Sequence, residues 1–391
     1  MKPTRIIKPN KPTMKNKLKI LAALILWAST TVTIAQTNYA DERTKRLDSM
    51  YSALHAADAF NGNVLIAEKG KVIFEKSYGL ANEKTGAKLN ANTTFELASV
   101  SKQFTAMGIV LLKKQGKLSY EDDITKYIPE LADYKGITIQ NLLVHTGGLP
   151  DYMNMAIANW DKDKIATNND ILNLFLTLKP KKAFETNEKW QYSNTGYLIL
   201  GSIIERASGQ SFGEFLKQYI FKPLDMKNSL VYRSRYQPQK IENYALAYGY
   251  SDSLKRKITV DEMGRNMYVF LDGIVGDGMV NTTAKDLLKW DRALYTNKLV
   301  NEEDKKMIFS SYPTNDTKGT NYGFGWFINN SKDFGKMVYH SGSWAGYITY
   351  IERDLDNDKT IIILQNNMLK NTELPSKNTR RILYGIPLDK K

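Results

Sequence analysis

The sequence predicts an α+β fold in which an antiparallel β-sheet is flanked by helices and a mostly helical region is inserted. Strand-like patterns lie towards both ends of the chain, in residues of about 40–115 and 315–391, whereas helical periodicity dominates residues 116–314. Hairpin and meander connections between the strand-like segments favour antiparallel pairing. The terminal segments are therefore expected to complete one sheet, with a ligand cleft between the sheet and the helical region.

The first elements follow from local patterns. Apolar residues spaced as on one helical face predict a helix over residues 43–57. Two short runs of β-branched residues on either side of Lys69-Gly70-Lys71 predict a β-hairpin. Ser99 then opens a predicted helix that runs to about residue 115.

The later elements follow the same logic. An apolar helix ends at Gly209, and the capping box formed by Ser211 and Glu214 begins the next helix. An amphipathic helix is expected over residues 283–295. Strand patterns then return, and a last helix over residues 378–386 closes the predicted fold.

The composition is that of a globular protein and excludes several kinds of site. The 391 residues are 42% hydrophobic and include no cysteine, which excludes disulfides, thiol nucleophiles and cysteine-bound zinc. The three histidines offer few candidates for a metal site or a histidine-based triad, and no phosphate-binding Gly-Lys-Ser/Thr loop occurs. We therefore expect no metal and no cofactor.

The net charge of +14 does not predict a nucleic-acid partner. Seven basic residues and no acid lie in residues 1–35, which accounts for half of the net charge. In the rest of the chain, lysines alternate with acidic residues, and no basic stripe is interleaved with aromatic residues. We therefore expect a solvated surface and no nucleic acid bound to it.

Residues 1–35 are predicted to be a signal peptide. A basic start is followed by the apolar run Ile20–Ala28, and the small residues Thr33 and Ala35 fit cleavage after residue 35. The alternative is a membrane anchor, but the apolar run is about half of the roughly 20 residues that a spanning helix needs. We expect an exported protein, periplasmic or secreted, with no stable membrane anchor once the leader is removed.

Ser99 and Lys102 are the candidate nucleophile and proton acceptor. Positions i and i+3 of a helix share a face, so the two side chains can be neighbours. An amine accepts a proton only where burial disfavours its charged form, and nearby apolar residues such as Phe104 and Met107 can exclude water. The alternative is that Ser99 only caps the helix. Ser101 lies on another side of the helix and is interpreted as structural.

Three motifs in order carry a resemblance to a known family. They are SVSK at 99–102, YSN at 192–194 and HSG at 340–342. With flanking stretches such as GDGMV at 276–280 and YGFGW at 322–326, they resemble the serine β-lactamase and penicillin-binding-protein superfamily, on its class C β-lactamase, D-aminopeptidase and carboxylesterase side. The resemblance implies a β-lactamase/transpeptidase-like fold for one domain over residues 36–391.

The resemblance also implies roles for the other motif residues. Tyr192 would share proton transfer with the lysine, and Asn194 offers an amide donor and acceptor to a substrate. Gly342 would let a substrate backbone approach closely. The backbone N–H groups of Ser99 and Ser343 would form the oxyanion hole. Each side chain also has an ordinary structural interpretation, Tyr192 as a core aromatic and Asn194 as a turn residue.

His340 departs from the family pattern, because β-lactamases more often carry lysine there. A histidine has a reference pKa near 6.5, so the sequence predicts that His340 binds a substrate carboxylate less well as the pH rises from about 6 to 8. His145 is interpreted as holding a loop. The departure at His340 weighs against β-lactamase activity more than it weighs against hydrolase activity.

A competing serine motif occurs at residues 209–213, where Gly209-Gln210-Ser211-Phe212-Gly213 matches the esterase pattern Gly-x-Ser-x-Gly. That pattern requires a strand before its turn, but here a helix precedes it. Ser211 is therefore interpreted as a helix cap and not as the nucleophile.

Together these features predict an exported active-site serine hydrolase that works through an acyl-enzyme on D-amino-acid peptides or β-lactam amides. The expected partner is a small-molecule or cell-wall peptide substrate. Two alternatives stay open: a carboxylesterase for small esters, and a non-catalytic descendant that binds peptidoglycan or acts as a scaffold. The oligomeric state is left open.

Overall fold

The computed structural model describes residues 42–262, 269–314 and 321–388. The predicted signal peptide, residues 1–35, lies outside the described residues. The helices are α1 (residues 42–56), α2 (Lys102–Lys114), α3 (Ile139–Leu143), α4 (Tyr152–Asn159), α5 (Asn168–Leu178), α6 (Asn194–Ser208), α7 (Phe212–Leu216), α8 (Ala284–Ala293), α9 (Glu302–Ile308) and α10 (Ser376–Leu383).

The strands are grouped in one large sheet and several small ones. They are β1 (Gly62–Glu68), β2 (Lys71–Tyr78), β3 (Leu80–Asn82), β4 (Ala87–Lys88), β5 (Phe95–Glu96), β6 (Leu230–Val231), β7 (Tyr248–Ser251), β8 (Arg256–Thr259), β9 (Val280–Thr282), β10 (Phe327–Ser331), β11 (Gly335–Trp344), β12 (Tyr347–Asp354), β13 (Lys359–Gln365) and β14 (Asn367–Met368).

The large sheet joins the two ends of the described chain, as predicted. Its strand order is β10-β11-β12-β13-β1-β2, and every neighbouring pair is antiparallel. The hairpin β1–β2 forms around the predicted turn, and β1 pairs with β13 on its other side. This arrangement confirms the predicted α+β class.

Central strand β1 is buried on both faces, which explains its unbroken apolar run. Val64 and Ile66 point into a core closed by α1 and α10. Leu65 and Ala67 point into the larger core, which contains side chains of α2 and α8. The large core thus holds the helical region against one face of the sheet and positions α2 beside it.

The structure also contains short strands that the sequence patterns did not predict. Strands β5, β9 and β6 form a small sheet, in which Phe95 is paired with Thr282 and Glu96 with Asn281. Strands of two or three residues carry too few side chains for a readable period, and their partners are far away in sequence. This small sheet places the segment before Ser99 against the segment that follows residue 276.

Candidate active site

Ser99 lies in a 3₁₀ turn, Ala98–Ser101, that leads directly into α2. The preceding Ala98 has a φ of +49°, an unusual conformation for a residue with a Cβ. The capping residues of the turn and of α2 are Leu97 and Ser101, and neither makes a side-chain capping bond. The interpretation of Ser99 as a simple helix cap is therefore wrong.

Lys102 is fully buried at the start of α2. Its Nζ atom donates at 3.1, 2.9 and 2.8 Å to three acceptors: Ser99 Oγ, Asn194 Oδ1 and the backbone oxygen of Asp277. The structure therefore brings the first and second predicted motifs together around one amine. All three protons of an ammonium group have an acceptor in this geometry.

The carbonyl of Asp277 is a part of this cluster that sequence reasoning missed. Gly276 has a φ of +103°, and a Cβ there would lie 2.2 Å from the backbone oxygen of Tyr197 on α6. Thr105 of α2 also donates to the carbonyl of Gly276, at 2.6 Å. These contacts hold the loop that contains Gly276 against α2 and α6. The only feature of the sequence that pointed to them was the glycine pair Gly276 and Gly278.

The ring of Tyr192 lies beside the amine of Lys102, but no hydrogen bond joins the two side chains. Lys102 Nζ lies 5.0 Å from the centre of the Tyr192 ring. The Tyr192 hydroxyl is buried and has no hydrogen-bond partner among the described residues. Catalytic hydrogen bonds are often unmade in a ligand-free protein, so the hydroxyl is available to a substrate.

His145 holds the loop that carries the second motif. Its Nδ1 atom accepts a hydrogen bond of 3.1 Å from the backbone N–H of Ser193. Its ring lies 4.5 Å from the rings of both Tyr192 and Tyr322, measured between centres. Burial and the charge of Lys102 hold the pKa of His145 well below its usual value, so this histidine positions the loop in its neutral form.

His340 lies on β11 and is only 1% exposed. Its Nε2 atom is 3.0 Å from the Tyr322 hydroxyl, and its Nδ1 atom is 2.6 Å from the backbone oxygen of Ser341. Burial, assisted by the charge of Lys102, lowers the pKa of His340 to about 3. The prediction that His340 titrates between pH 6 and 8 is therefore wrong, because both ring nitrogens are engaged inside the protein.

The buried neutral state of His340 predicts a pH dependence of stability. An unfolded histidine takes up a proton below about pH 6.5, whereas folded His340 does so only near pH 3. Stability is thus complete above about pH 6.5 and falls below it, by about 2 kcal/mol for this residue at pH 5. Urea unfolding at pH 7.5 and 5 measures the difference. His340→Gln should shrink this pH difference by that amount, and an unchanged difference would contradict the assignment.

Gly342 is required by the packing of β11 against the nucleophile turn. A Cβ at this position would lie 2.3 Å from the backbone oxygen of Leu97 and 3.0 Å from the amide nitrogen of Ser99. The space that a side chain of residue 342 would need is therefore occupied by the turn that carries Ser99. The neighbouring Ser343 is exposed, and it lines the cavity in front of Ser99.

Gly342→Ala is expected to impair both folding stability and activity. Because the Cβ would overlap backbone atoms, either the strand or the nucleophile turn must shift, which should reduce stability by about 1–3 kcal/mol. We expect kcat to fall at least tenfold, since Ser99 moves with the turn. Thermal unfolding and single-turnover kinetics measure the two effects. Full activity of Gly342→Ala would show that the turn does not need this contact.

A cavity of about 120 Å³ opens in front of Ser99. Its lining includes Asn194 from α6, Asp277 and Met279 from the loop before β9, and Ser343 and Trp344 from β11, among others. Ser99 itself lies on the cavity wall, so an acyl donor in the cavity would lie beside the candidate nucleophile.

The other candidate serines have structural roles. Ser211 accepts a hydrogen bond from the backbone N–H of Glu214 and caps α7. Ser101 is buried and accepts a hydrogen bond from the backbone N–H of Val280. Among the residues that the structure describes, no group of three or more His, Asp or Glu side chains is arranged to hold a metal ion. In the same ranges, no helix has the length and apolar character to cross a membrane.

Comparison with known proteins identifies the family of the chain. The profile of the Beta-lactamase family matches residues 47–386. The chain is 42% identical over 351 residues to penicillin-binding protein 4* of Bacillus subtilis (strain 168), covering 89% of this chain and 77% of the relative.

Two solved structures share the fold. One is the octameric penicillin-binding protein homologue from Pyrococcus abyssi, with a TM-score of 0.73, 24% identity, and coverage of 88% of this chain and 77% of that one. The other is a D-amino acid amidase from Ochrobactrum anthropi SV3, with a TM-score of 0.65, 23% identity, and coverage of 84% and 93%. With the family profile and the 42% identical relative, the chain belongs to the serine β-lactamase and penicillin-binding-protein superfamily of serine hydrolases.

Proposed function

We propose that this protein hydrolyses the amide bond of D-amino-acid peptides or β-lactams through an acyl-enzyme on Ser99. The observation that carries the proposal is the 3.1 Å contact between Ser99 Oγ and the buried amine of Lys102. The names of two similar proteins, a penicillin-binding protein and a D-amino acid amidase, support the substrate class.

Acylation uses Lys102 in its neutral form. A neutral amine has two N–H groups and one lone pair. If the N–H groups remain on Asn194 and the Asp277 carbonyl, the lone pair faces Ser99. The Ser99 oxygen then bonds to the substrate carbonyl carbon while its proton moves to Lys102.

Collapse of the tetrahedral intermediate breaks the amide C–N bond. The leaving nitrogen needs a proton, and we assign its transfer from Lys102 to the Tyr192 hydroxyl, which has no hydrogen-bond partner among the described residues. Water then adds to the ester carbonyl and gives up one proton to the same pair of residues. The C–O bond to Ser99 breaks, the serine recovers its proton, and the acid product leaves.

The negative charge on the intermediate is proposed to fall between the N–H groups of Ser99 and Ser343. The first N–H groups of a helical turn have no partner within the turn. A Cβ at residue 342 of β11 would lie 3.0 Å from the Ser99 amide nitrogen, so the strand that carries Ser343 runs beside that amide, which supports this pairing. Such a donor typically contributes about 3 kcal/mol to lowering the barrier.

We further propose that residues 1–35 direct export and that residues 36–391 act as one domain on cell-wall peptides outside the cytoplasm. The basic start and short apolar run of the leader support this. The mass of protein recovered from an exporting host tests it, since cleavage after Ala35 should leave Gln36 as the first residue. A product that keeps the leader would contradict the proposal.

A fluorophosphonate probe with peptide mass analysis tests the acyl-enzyme, because the adduct should lie on the peptide that contains Ser99. Parallel assays with nitrocefin, a D-Ala-D-Ala peptide and p-nitrophenyl acetate then test the substrate class. Turnover of p-nitrophenyl acetate alone would favour a carboxylesterase. A folded protein without adduct or turnover would favour a non-catalytic descendant.

A further inference from the structure

We propose that the carboxyl groups of Glu96 and Asp277 bind an ammonium group of the substrate beside Ser99, so that the protein prefers acyl donors with a free amine. The inference rests on the proposed function, because it assumes that an acyl donor occupies the cavity in front of Ser99. It narrows the substrate class to small aminoacyl amides. Neither carboxyl group has a part in the acylation steps described above.

Glu96 is a buried residue on the cavity wall, and one of its two carboxyl oxygens has no hydrogen-bond partner among the described residues. The residue is 6% exposed, and its Oε1 atom has no partner among the described residues. It lies three positions before Ser99 and lines the same cavity. A buried carboxyl oxygen that lacks a donor is unfavourable, so a ligand that donates to it gains binding free energy.

Arg235 does not form an ion pair with Glu96. Arg235 lies close enough to Glu96 to influence it, but its guanidinium group bonds to Asp261 at 2.6 Å and Asp272 at 3.1 Å. Burial, with the negative charges of Asp272 and Asp277, raises the pKa of Glu96 to about 8, and Arg235 opposes the shift. The carboxyl group therefore lacks a permanent counter-ion inside the described structure.

Asp277 supplies the second carboxyl group. Its Oδ2 atom accepts a hydrogen bond of 2.9 Å from the Tyr152 hydroxyl, and its backbone oxygen accepts from Lys102. Burial raises the pKa of Asp277, although the charge of Lys102 acts in the opposite direction. Glu96 and Asp277, which are far apart in the sequence, thus line the same cavity.

The charge of the cavity wall selects for a cation. Among the described residues that line the cavity, two are acidic and none is a lysine, arginine or histidine. At low dielectric constant, a bound ammonium group is attracted to these carboxyl groups once they are ionised, whereas a bound carboxylate is repelled. The rest of the lining is mostly apolar or aromatic and includes Met153, Leu271, Ile274, Met279, Tyr152 and Trp344.

The chemistry of an amino acid fits this arrangement. In an aminoacyl amide, the α-nitrogen and the carbonyl carbon are bonded to the same Cα atom. An α-ammonium group therefore lies close to the carbon that Ser99 attacks, within the span of a cavity of about 120 Å³.

The test compares D-alanine p-nitroanilide, which carries a free ammonium group, with its N-acetyl derivative. In the parent protein, kcat/KM should be at least tenfold higher for the free amine. Glu96→Gln keeps the shape of the side chain and should lower this ratio tenfold or more. Asp151→Asn is the matched control: Asp151 is an exposed acid that caps α4, asparagine caps equally well, and the ratio should stay unchanged. An equal ratio in the parent and Glu96→Gln would overturn the inference.

Calorimetry separates this inference from the proposed function. Binding of D-alaninamide to Ser99→Ala at pH 7 should ionise Glu96 and release close to one proton, because the free carboxyl group has a pKa of about 8. Titrations in phosphate and Tris buffers measure the release, which should vanish in the Ser99→Ala/Glu96→Gln double variant. Binding without a Glu96-dependent proton release would overturn the ammonium site. Absence of turnover with the release intact would instead overturn the proposed function.

Discussion

Ser99→Ala should abolish turnover and covalent labelling while the protein stays folded. Loss of the nucleophile lowers kcat by roughly 10⁴-fold or more in enzymes that work through a serine acyl-enzyme. Within the described ranges, the Ser99 side chain makes one hydrogen bond, from Lys102 at 3.1 Å, and it is only half-buried. Its removal should therefore change the free energy of unfolding by about 1 kcal/mol. Steady-state kinetics, fluorophosphonate labelling and thermal unfolding measure the three quantities.

Ser211→Ala is the matched control for this experiment. It removes a serine from the competing Gly-x-Ser-x-Gly motif and should reduce stability by about 1 kcal/mol, because Ser211 caps α7. Turnover and labelling should be unaffected. The opposite pattern, with activity kept by Ser99→Ala and lost by Ser211→Ala, would move the nucleophile to the second motif.

The two serines show what sequence alone can decide about this site. The spacing of Ser99 and Lys102 predicts a contact within one helical turn, and the structure has that contact at 3.1 Å. The helix before Ser211 argues against a nucleophile there, and the structure shows a cap. Both inferences succeeded because they depend on residues three or four positions apart, where backbone geometry alone fixes the distance.

The parts of the site that sequence did not predict depend on distant segments. The carbonyl of Asp277 reaches Lys102 across 175 positions of the chain. His340 is held by Tyr322 inside the protein, whereas its position on an alternating strand gave no measure of its burial. A reference pKa for His340 was therefore a poor guide, because desolvation dominates once the ring is enclosed.

The large sheet was predictable for a related reason. Strands of seven to ten residues, such as β1, β11 and β13, carry enough apolar positions to be recognised from their pattern. The short strand that contains Glu96 carries no such pattern, and its partner β9 is almost two hundred positions away. The cavity wall was consequently harder to predict from the sequence than the large sheet.

Lys102→Met should reduce kcat by roughly 10³-fold or more, because it removes the only amine in hydrogen-bond contact with Ser99 in the described structure. Methionine fills a similar volume in this fully buried position. The substitution leaves Asn194 Oδ1 and the Asp277 carbonyl without a donor, at a cost of about 1–3 kcal/mol each. Removing a buried charge offsets part of that cost, so the variant should fold with a lowered melting temperature.

Lys114→Met provides the control on the same helix. Lys114 donates from the far end of α2 to the backbone oxygen of Leu299, so this variant should lose a hydrogen bond and keep its activity. A second variant, Lys102→Ala, separates proton transfer from support of the loop, since it leaves space that a small primary amine can fill. Methylamine should restore part of kcat in this variant, with a pH profile that follows the added amine. One contradicting result would be a Lys102→Met activity equal to that of Lys114→Met. Another would be a Lys102→Ala variant that does not respond to amines while its melting temperature is unchanged. Either result would show that Lys102 only supports the loop and that another group deprotonates Ser99.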